Sequence, residues 1–383
     1  MPHGGVSQAP GTDSTHVSEA LRCAEQALLR ASPNPRVGCV IVDALGRVVG
    51  RGATQPAGQA HAEIMAMRDA LAHGFDLRGA TAYVTLEPCS HHGRTGPCCQ
   101  ALAEAGIGRV VASVTDPNPL VAGRGLAYLQ SHGVKVEVGP GADESMELNI
   151  GFFSRMIRKR PWVRMKSATS FDGVSALSNG ASQWITSAPA REDGHAWRAR
   201  ACAILTGIGT VEADDPRLDV RSVETPRQPM LVLVDSQLKV SPDAALFAAQ
   251  RPVYIYTASA DADKAARLRA RGAEVIEMPA AGGGVDLARM LEDLAVHRQV
   301  NELHVEAGAA LNGALLGAGL VDELLQYWGP RLLGPGRPMA LLPTLSDLAD
   351  GMQLDIRSVR RIGPDLRVLA RLAGRDGFLG AAA

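Results

Sequence analysis

His61-Ala62-Glu63, read together with Thr85-Leu86-Glu87-Pro88-Cys89-Ser90-His91-His92-Gly93-Arg94-Thr95-Gly96-Pro97-Cys98-Cys99, decides how the first half of this chain folds and what it holds. One imidazole (His61) and two thiolates (Cys89 and Cys98) form a ligand set that suits a single Zn²⁺ and leaves a fourth position open for water. Glu63, two residues after the histidine, is placed to move protons around that water without binding the metal. A closed structural site needs four protein ligands; His91 or His92 could supply the fourth, but such a site has no use for Glu63. Cys99 competes with Cys98 for the second thiolate. Cys98 is preferred because Pro97 can open a helix and put Cys98 in its first turn, where the helix dipole favours a thiolate.

Working outward, Val17, Ala20, Leu21, Ala24, Ala27 and Leu28 recur at helical spacing, so a first helix is expected over Thr15–Ala31. Val37–Val42 and Arg47–Gly52 read as a hairpin. A helix opens at His61, a buried strand runs over Ala82–Leu86 into the Pro-Cys turn, and Pro97–Ala105 is helical. Arg109–Thr115 and Val134–Val138 are strands around a helix at Gly123–His132. Strands alternating with helices imply an α/β sandwich on a mostly parallel sheet, with both ligand segments at helix starts on one side of it. Helix N-termini and a metal both favour hydroxide, so the chemistry expected is hydrolysis at an amino-substituted C=N carbon.

At 383 residues the chain is expected to form two domains. Residues 1–14 are polar and carry Gly and Pro without an apolar signal core, so a disordered tail is expected there. The first domain is expected over 15–155. The basic run Arg155–Arg160 reads as a solvated linker, and a second domain is expected over 161–383. The net charge of −1 argues against a nucleic-acid partner, and no apolar run is long enough for a bilayer. Six cysteines, three of them in the motif, fit metal chemistry in a reducing compartment, so a soluble cytoplasmic protein is expected. A homo-oligomer is left open. Strand-like runs return at Trp162–Ala168, Ala203–Leu205, Met230–Val234, Val253–Tyr256, Glu274–Met278 and Leu303–Glu306. Helices are expected at Ala188–Arg200, Asp261–Arg271, Val285–His297 and Ala309–Gly317. Gly207-Ile208-Gly209 lacks the third glycine of a Rossmann fingerprint. Small residues opening a helix at Gly308–Ala314 are the better phosphate cradle.

The first motif has the H-x-E…P-C-x-x-C form of zinc nucleobase deaminases, with a longer gap between its cysteines. With Asn34-Pro35-Arg36-Val37-Gly38 and Asp116-Pro117-Asn118-Pro119, it closely resembles the riboflavin-pathway bifunctional pyrimidine deaminase/reductase family. Gly96 stands where that family's motif usually has proline. Lys166-Ser167-Ala168-Thr169-Ser170-Phe171-Asp172-Gly173, Ser182-Gln183-Trp184-Ile185-Thr186, Thr210–Leu218 and Val305-Glu306-Ala307-Gly308 resemble the reductase half. The resemblance implies a cytidine-deaminase-like α/β/α sandwich followed by a dihydrofolate-reductase-like α/β domain. It implies deamination of 2,5-diamino-6-(5-phosphoribosylamino)pyrimidin-4-one, then reduction of the ribosyl group to ribityl with NADPH. It assigns the deaminase substrate to Asn34, His91, Arg94, Asp116 and Asn118. NADPH contacts fall on Ala168, Trp184, Thr210, Asp214, Ser236 and the run Gly308, Ala309, Ala310, Leu311, Asn312, Gly313, Ala314. Reductase substrate contacts fall on Ser182, Arg198, Leu218, Arg221 and Glu306; the two arginines can fork onto a phosphate.

Plainer readings exist. Asn34 and Asp116–Pro119 could be turn formers, Trp184 a core aromatic, and Asp214-Asp215-Pro216 a helix stop. A nucleoside or tRNA deaminase with an unrelated C-terminal domain, or a zinc-stabilised binding module without turnover, are the alternative functions. The neutral charge opposes tRNA, and Glu63 opposes the inert module.

Overall fold

The computed structural model describes residues 10–91 and 96–381. They divide into two compact units: one made of residues up to Arg158 together with those from Gly377 onward, the other of Lys159–Asp376.

The first unit runs α1 (Pro10–Glu25), β1 (Gly38–Val42), β2 (Val48–Ala53), α2 (Ala62–Ala72), β3 (Thr81–Val84), α3 (Cys98–Glu104), β4 (Arg109–Ala112), α4 (Arg124–Ser131), β5 (Lys135–Val138), α5 (Ala142–Leu148) and α6 (Ile150–Arg158). Its sheet has the order β2-β1-β3-β4-β5. The strands' period of two sends Val40, Val42, Tyr83 and Val111 to one face, against Val17, Ala20 and Cys23 of α1. Cys39, Ile41, Ala82, Val84, Val110 and Ala112 face the other way, into a core shared with Ala66 and Ala70 of α2, Leu102 of α3 and Leu129 of α4. This is the α/β/α sandwich. The sheet is mixed rather than mostly parallel, because β1 pairs antiparallel with both β2 and β3 while β3, β4 and β5 run parallel. Glycine lets strand and helix backbones meet: a Cβ on Gly38 would lie 1.9 Å from the Ala20 carbonyl, and one on Gly52 would lie 2.1 Å from that of Ala62.

Three boundaries differ from the sequence reading. Helix α1 starts at Pro10, inside the expected tail, as suits a residue pre-set for a first helical turn; it also stops at Glu25, short of Ala31. The expected tail residues 1–9 lie outside the described residues. The basic run from Arg155 is no linker up to Arg158: it is the last turn of α6, whose Phe152 and Phe153 are buried, and cations there suit the helix dipole. Finally, Gly377–Ala381 leaves the second unit; Phe378 and Leu379 pack on the first unit's core, and the Arg158 guanidinium stands 4.3 Å from the Phe378 ring.

The second unit runs β6 (Trp162–Ser170), β7 (Val174–Leu177), α7 (Ala188–Arg200), β8 (Ala203–Gly207), α8 (Ile208–Asp214), β9 (Met230–Val234), β10 (Val253–Thr257), α9 (Ala262–Ala270), β11 (Ala273–Glu277), α10 (Leu287–Val296), β12 (Glu302–Val305), α11 (Ala309–Gly317), β13 (Glu323–Gly329), β14 (Gly336–Pro338), β15 (Leu354–Ile362) and β16 (Asp365–Leu372). Nine strands form one sheet, β11-β10-β9-β8-β12-β6-β13-β16-β15, parallel through β13 and closed by the antiparallel hairpin β15–β16. β7 and β14 pair separately. Residues of α10 and α11 share a core with Ala203, Leu205, Val232 and Val234. Ala265 and Leu268 of α9 pack with Ile204, Leu231 and Ile255 on the opposite face. Parallel strands covered on both faces read as the continuous apolar runs seen in the sequence. No helix among the described residues is long and apolar enough to cross a membrane.

Candidate functional site

Three pieces of chain bring His61, Cys89 and Cys98 together. His61 is the residue before α2, in extended conformation; Cys98 opens α3 directly after Pro97; Cys89 lies on the turn that leaves β3. Their ligand atoms all lie within 4.8 Å of one another. His61 Nδ1 is 3.5 Å from Cys89 Sγ and 3.4 Å from Cys98 Sγ. Zinc bonds of about 2.3 Å to sulfur and about 2.0 Å to nitrogen, at a tetrahedral angle, put such atoms about 3.5 Å apart. The residues therefore fit the ion, with Nδ1 as the imidazole donor. The hydrogen bond from the Cys98 thiol, with help from His61, holds Cys89 far below the ordinary thiol range despite its burial. Cys98, against that thiolate and buried beside Glu63, is pushed up. The pair thus shares a proton that a dication displaces. Cys99 points elsewhere: its side chain joins the apolar core, and its N–H donates to the Cys89 carbonyl at 3.2 Å.

Glu63, in the first turn of α2, is 3% exposed. Desolvation, reinforced by the Cys89 thiolate, pushes its carboxyl up to about 7, within reach of proton exchange near neutrality. His91 Nδ1 is buried with no hydrogen-bond partner among the described residues. Asp116 is 7% exposed, and burial, with Glu87 and Cys89 adding repulsion, pushes its carboxyl up to about 7. Asp116 Oδ1 accepts the Asn118 N–H at 2.8 Å, and Asn118 Oδ1 accepts that of Leu120 at 3.1 Å, so turn formation accounts for part of this motif. Asn34 is half-buried, its N–H donating to the Ala31 carbonyl at 2.9 Å. Arg94 lies outside the described residues.

In the second unit the C-terminal ends of β6, β8, β9 and β12 share one edge of the sheet. Ala168 near the end of β6, Thr210 just past β8, Ser236 past β9 and Gly308 past β12 all belong to that edge. Open parallel sheets bind ligands at this place. A Cβ on Gly308 would meet only Thr210 Oγ1, at 3.6 Å, so the start of α11 is open to an approaching group. Trp184 is 58% exposed with the Arg191 guanidinium 4.2 Å over its ring, so it is no core aromatic. Asp214 is exposed at the end of α8, and the helix stop falls on Asp215 at φ 38°. Ser182 is half-buried on the connection between β7 and α7.

Several expected contacts are redirected. Asn312 donates to the Met339 carbonyl at 2.8 Å, and a Cβ on Gly313 would lie 2.0 Å from that of Leu341. These two residues fasten α11 to the 339–341 segment. Leu218 turns its side chain into the apolar core, which leaves only its backbone for a ligand. Arg198 does not offer a free fork: Nε and Nη2 bind the two Glu306 oxygens, the latter at 2.8 Å, and Nη1 donates to the Asp219 carbonyl at 3.1 Å. Burial alone would raise the Glu306 carboxyl, but Arg198 and Lys166 outweigh it and hold it well below the usual range. Arg221 is 52% exposed and bound to Asp219 through Nη1 at 2.5 Å. Lys166, 3.7 Å from Glu306, and His195, whose Nδ1 accepts the Arg221 N–H at 3.4 Å, complete the cluster. They come from β6 and α7, and no local spacing announces them.

The family model for the cytidine and deoxycytidylate deaminase zinc-binding region matches residues 10–114, and that for the RibD C-terminal domain matches residues 161–368. The riboflavin biosynthesis protein RibD of Escherichia coli is 44% identical over 367 residues, covering 92% of this chain and 98% of its own. The solved structure of Acinetobacter baumannii RibD, form 1, has a TM-score of 0.87 at 36% identity and covers 95% of this chain and 99% of its own. That of the Thermotoga maritima diaminohydroxyphosphoribosylaminopyrimidine deaminase/5-amino-6-(5-phosphoribosylamino)uracil reductase has a TM-score of 0.84 at 31% identity, with the same coverage.

Proposed function

The chain belongs to the RibD family of bifunctional riboflavin-biosynthesis proteins, and from that premise we propose how each unit carries its half of the work. The protein is a deaminase and a reductase in one polypeptide, with a zinc-binding region in the first unit and a small pyrimidine as substrate. Its first unit hydrolyses the 2-amino group of 2,5-diamino-6-(5-phosphoribosylamino)pyrimidin-4-one. Its second unit reduces the ribosyl group of the product to ribityl with NADPH.

The observation that carries the first half is the convergence of one imidazole nitrogen, two thiols and a buried carboxyl. Held by His61, Cys89 and Cys98, zinc supplies the Lewis acidity that makes water nucleophilic near neutral pH. Glu63 takes one proton from the attacking water and delivers it to the ring nitrogen, then carries the second, from the new hydroxyl on C2, to the departing amine. Water oxygen bonds to C2, the C2–N bond breaks, and ammonia leaves. His91, Asn34, Asp116 and Asn118 orient the pyrimidine, and Arg94 is assigned to the same substrate.

In the second unit the nicotinamide cofactor supplies a hydride, and the protein supplies placement. The open start of α11 at Gly308, with Thr210 and Ser236 on neighbouring strand ends, holds the cofactor phosphates against backbone N–H groups. Arg221 takes the substrate phosphate, and Glu306, fixed by Arg198, faces the sugar.

Ammonia release and NADPH oxidation measured on the same purified protein test both halves. Zinc at one per chain, ammonia from the diaminopyrimidine and NADPH consumed only after deamination are expected. Ammonia release that survives complete zinc removal overturns the first half, and preference for NADH over NADPH overturns the cofactor assignment.

A further inference from the structure

Glu87 is 3% exposed and stands two residues before Cys89. Among the described residues no cation pairs with it, although an uncompensated buried carboxylate is costly. Among the described residues, compensation comes from backbone N–H groups. Oε2 accepts the N–H groups of Asp116 at 3.1 Å and Gly123 at 2.9 Å; Oε1 accepts those of Gly125 at 2.8 Å and Leu126 at 3.4 Å. All four donors belong to one stretch, 116–126, so a single carboxylate closes that loop at both ends and caps α4. The loop also presses on the metal turn directly: a Cβ on Gly125 would lie 1.9 Å from the Pro88 carbonyl oxygen. Pro88 is all that separates Glu87 from Cys89.

We propose that Glu87 is a positioning residue for deamination: it sets the register between the Cys89 turn and the Asp116–Asn118 loop, and so fixes where the pyrimidine lies relative to the attacking water. The inference rests on the reading that Asp116 and Asn118 hold the substrate. It requires a side chain whose two terminal atoms both accept, with four acceptor directions. Glutamine keeps the shape but turns an NH₂ group toward two N–H donors, and aspartate is one methylene too short to reach the loop.

The test is Glu87→Gln in the full-length protein, with NADPH oxidation of supplied deaminated substrate as an internal control. Zinc content and reductase turnover are expected to stay at wild-type values. KM for the diaminopyrimidine rises about tenfold or more, as for hydrogen bonds lost to a buried charged group, while kcat changes less than about threefold. A purely structural role would not give that split. In the Asn118→Ala background, Glu87→Gln should add little, because both act through one loop. An unchanged KM in Glu87→Gln, a multiplied effect in the double variant, or lost zinc with collapsed kcat each overturns the proposal while leaving the substrate reading standing. If Asn118→Ala alone leaves KM unchanged, the substrate reading falls and this inference with it. Should Glu87→Gln fail to fold, Gly125→Ala pushes α4 off Pro88 with the carboxylate intact. The same KM rise at constant zinc is then expected, and its absence overturns the proposal.

Discussion

In the deaminase unit the chemistry-bearing groups come from two short motifs, lie deep, and touch one another: Cys98 and Glu63 are almost completely buried, and His61 contacts both thiols. In the reductase unit the groups we propose for cofactor and substrate come from the ends of four strands and the loops between them, and Trp184, Asp214 and Arg221 stand largely in the open. The difference follows from what each reaction asks of a protein. Making water a nucleophile needs particular atoms at bonding distance, so the side chains cannot be exchanged. A hydride transfer needs a cofactor and a sugar held in contact, which backbone turns and small residues can do.

The sharpest break in that comparison comes from Glu63→Gln, which keeps the shape and removes the proton carrier. Ammonia release should fall about 10²- to 10⁴-fold, while reduction of supplied deaminated substrate continues unchanged; near-normal ammonia release would sink the assigned mechanism. The largest effect in the other unit is expected on folding rather than turnover. Arg198→Ala strips a nearly buried Glu306 of its strongest partner, with both hydrogen bonds that partner makes, and should destabilise that unit by about 3–5 kcal/mol, read as a lowered midpoint in chemical denaturation. A smaller effect separates anchor from scaffold. Arg221→Ala should raise the reductase-substrate KM about tenfold, the scale of one exposed phosphate contact, without moving that midpoint. Gly308 gives a graded version of the same contrast. Gly308→Ala should bind NADPH normally, since its Cβ meets only Thr210 Oγ1 at 3.6 Å, whereas Gly308→Trp should weaken binding at least about tenfold by titration.

The smallest effect is a pH slope. Burial, with Arg198 and Arg221 adding repulsion, depresses His195 from its ordinary 6.5 to about 4. Between those values the unfolded chain binds more protons than the folded one, so this contribution is present above about pH 6.5 and is lost as pH falls toward about 4. The thermal midpoint should decline over that window, and His195→Gln should flatten part of the decline. An identical slope in both proteins would remove His195 from the cluster's electrostatics.

The same contrast governs what the sequence makes legible. The zinc motif is readable because its residues are adjacent or nearly so, and most strands and helices as far as α11 are readable from apolar runs, though not α5, α6, β7 or α8. The C-terminal hairpin is not. Its strands carry Arg367 and Arg371 at inward positions, buried because Asp193 and Glu323 neutralise them, and that pairing interrupts the apolar alternation by which a strand is recognised. β6 has the same device in Arg164, held by Glu302 at 2.9 Å and Glu323 at 2.5 Å. α6 is hidden for a related reason: the charges of its last turn outweigh the two phenylalanines before them. The pairing of Arg198 with Glu306 leaves no trace in the sequence, because the two are 108 residues apart. Glu87 shows nothing in one dimension, since its partners are backbone groups.

The return of Phe378 and Leu379 to the first unit has a consequence for vectorial synthesis. A ribosome delivers the helices and strands up to Arg158 first, yet the residues that cover the apolar seat beside Arg158 are encoded past Asp376. At about 5–20 residues per second, the intervening Lys159–Asp376 takes on the order of ten to forty seconds to emerge. Until Gly377–Ala381 emerge, the apolar side chains of the first unit that Phe378 and Leu379 cover lack that cover.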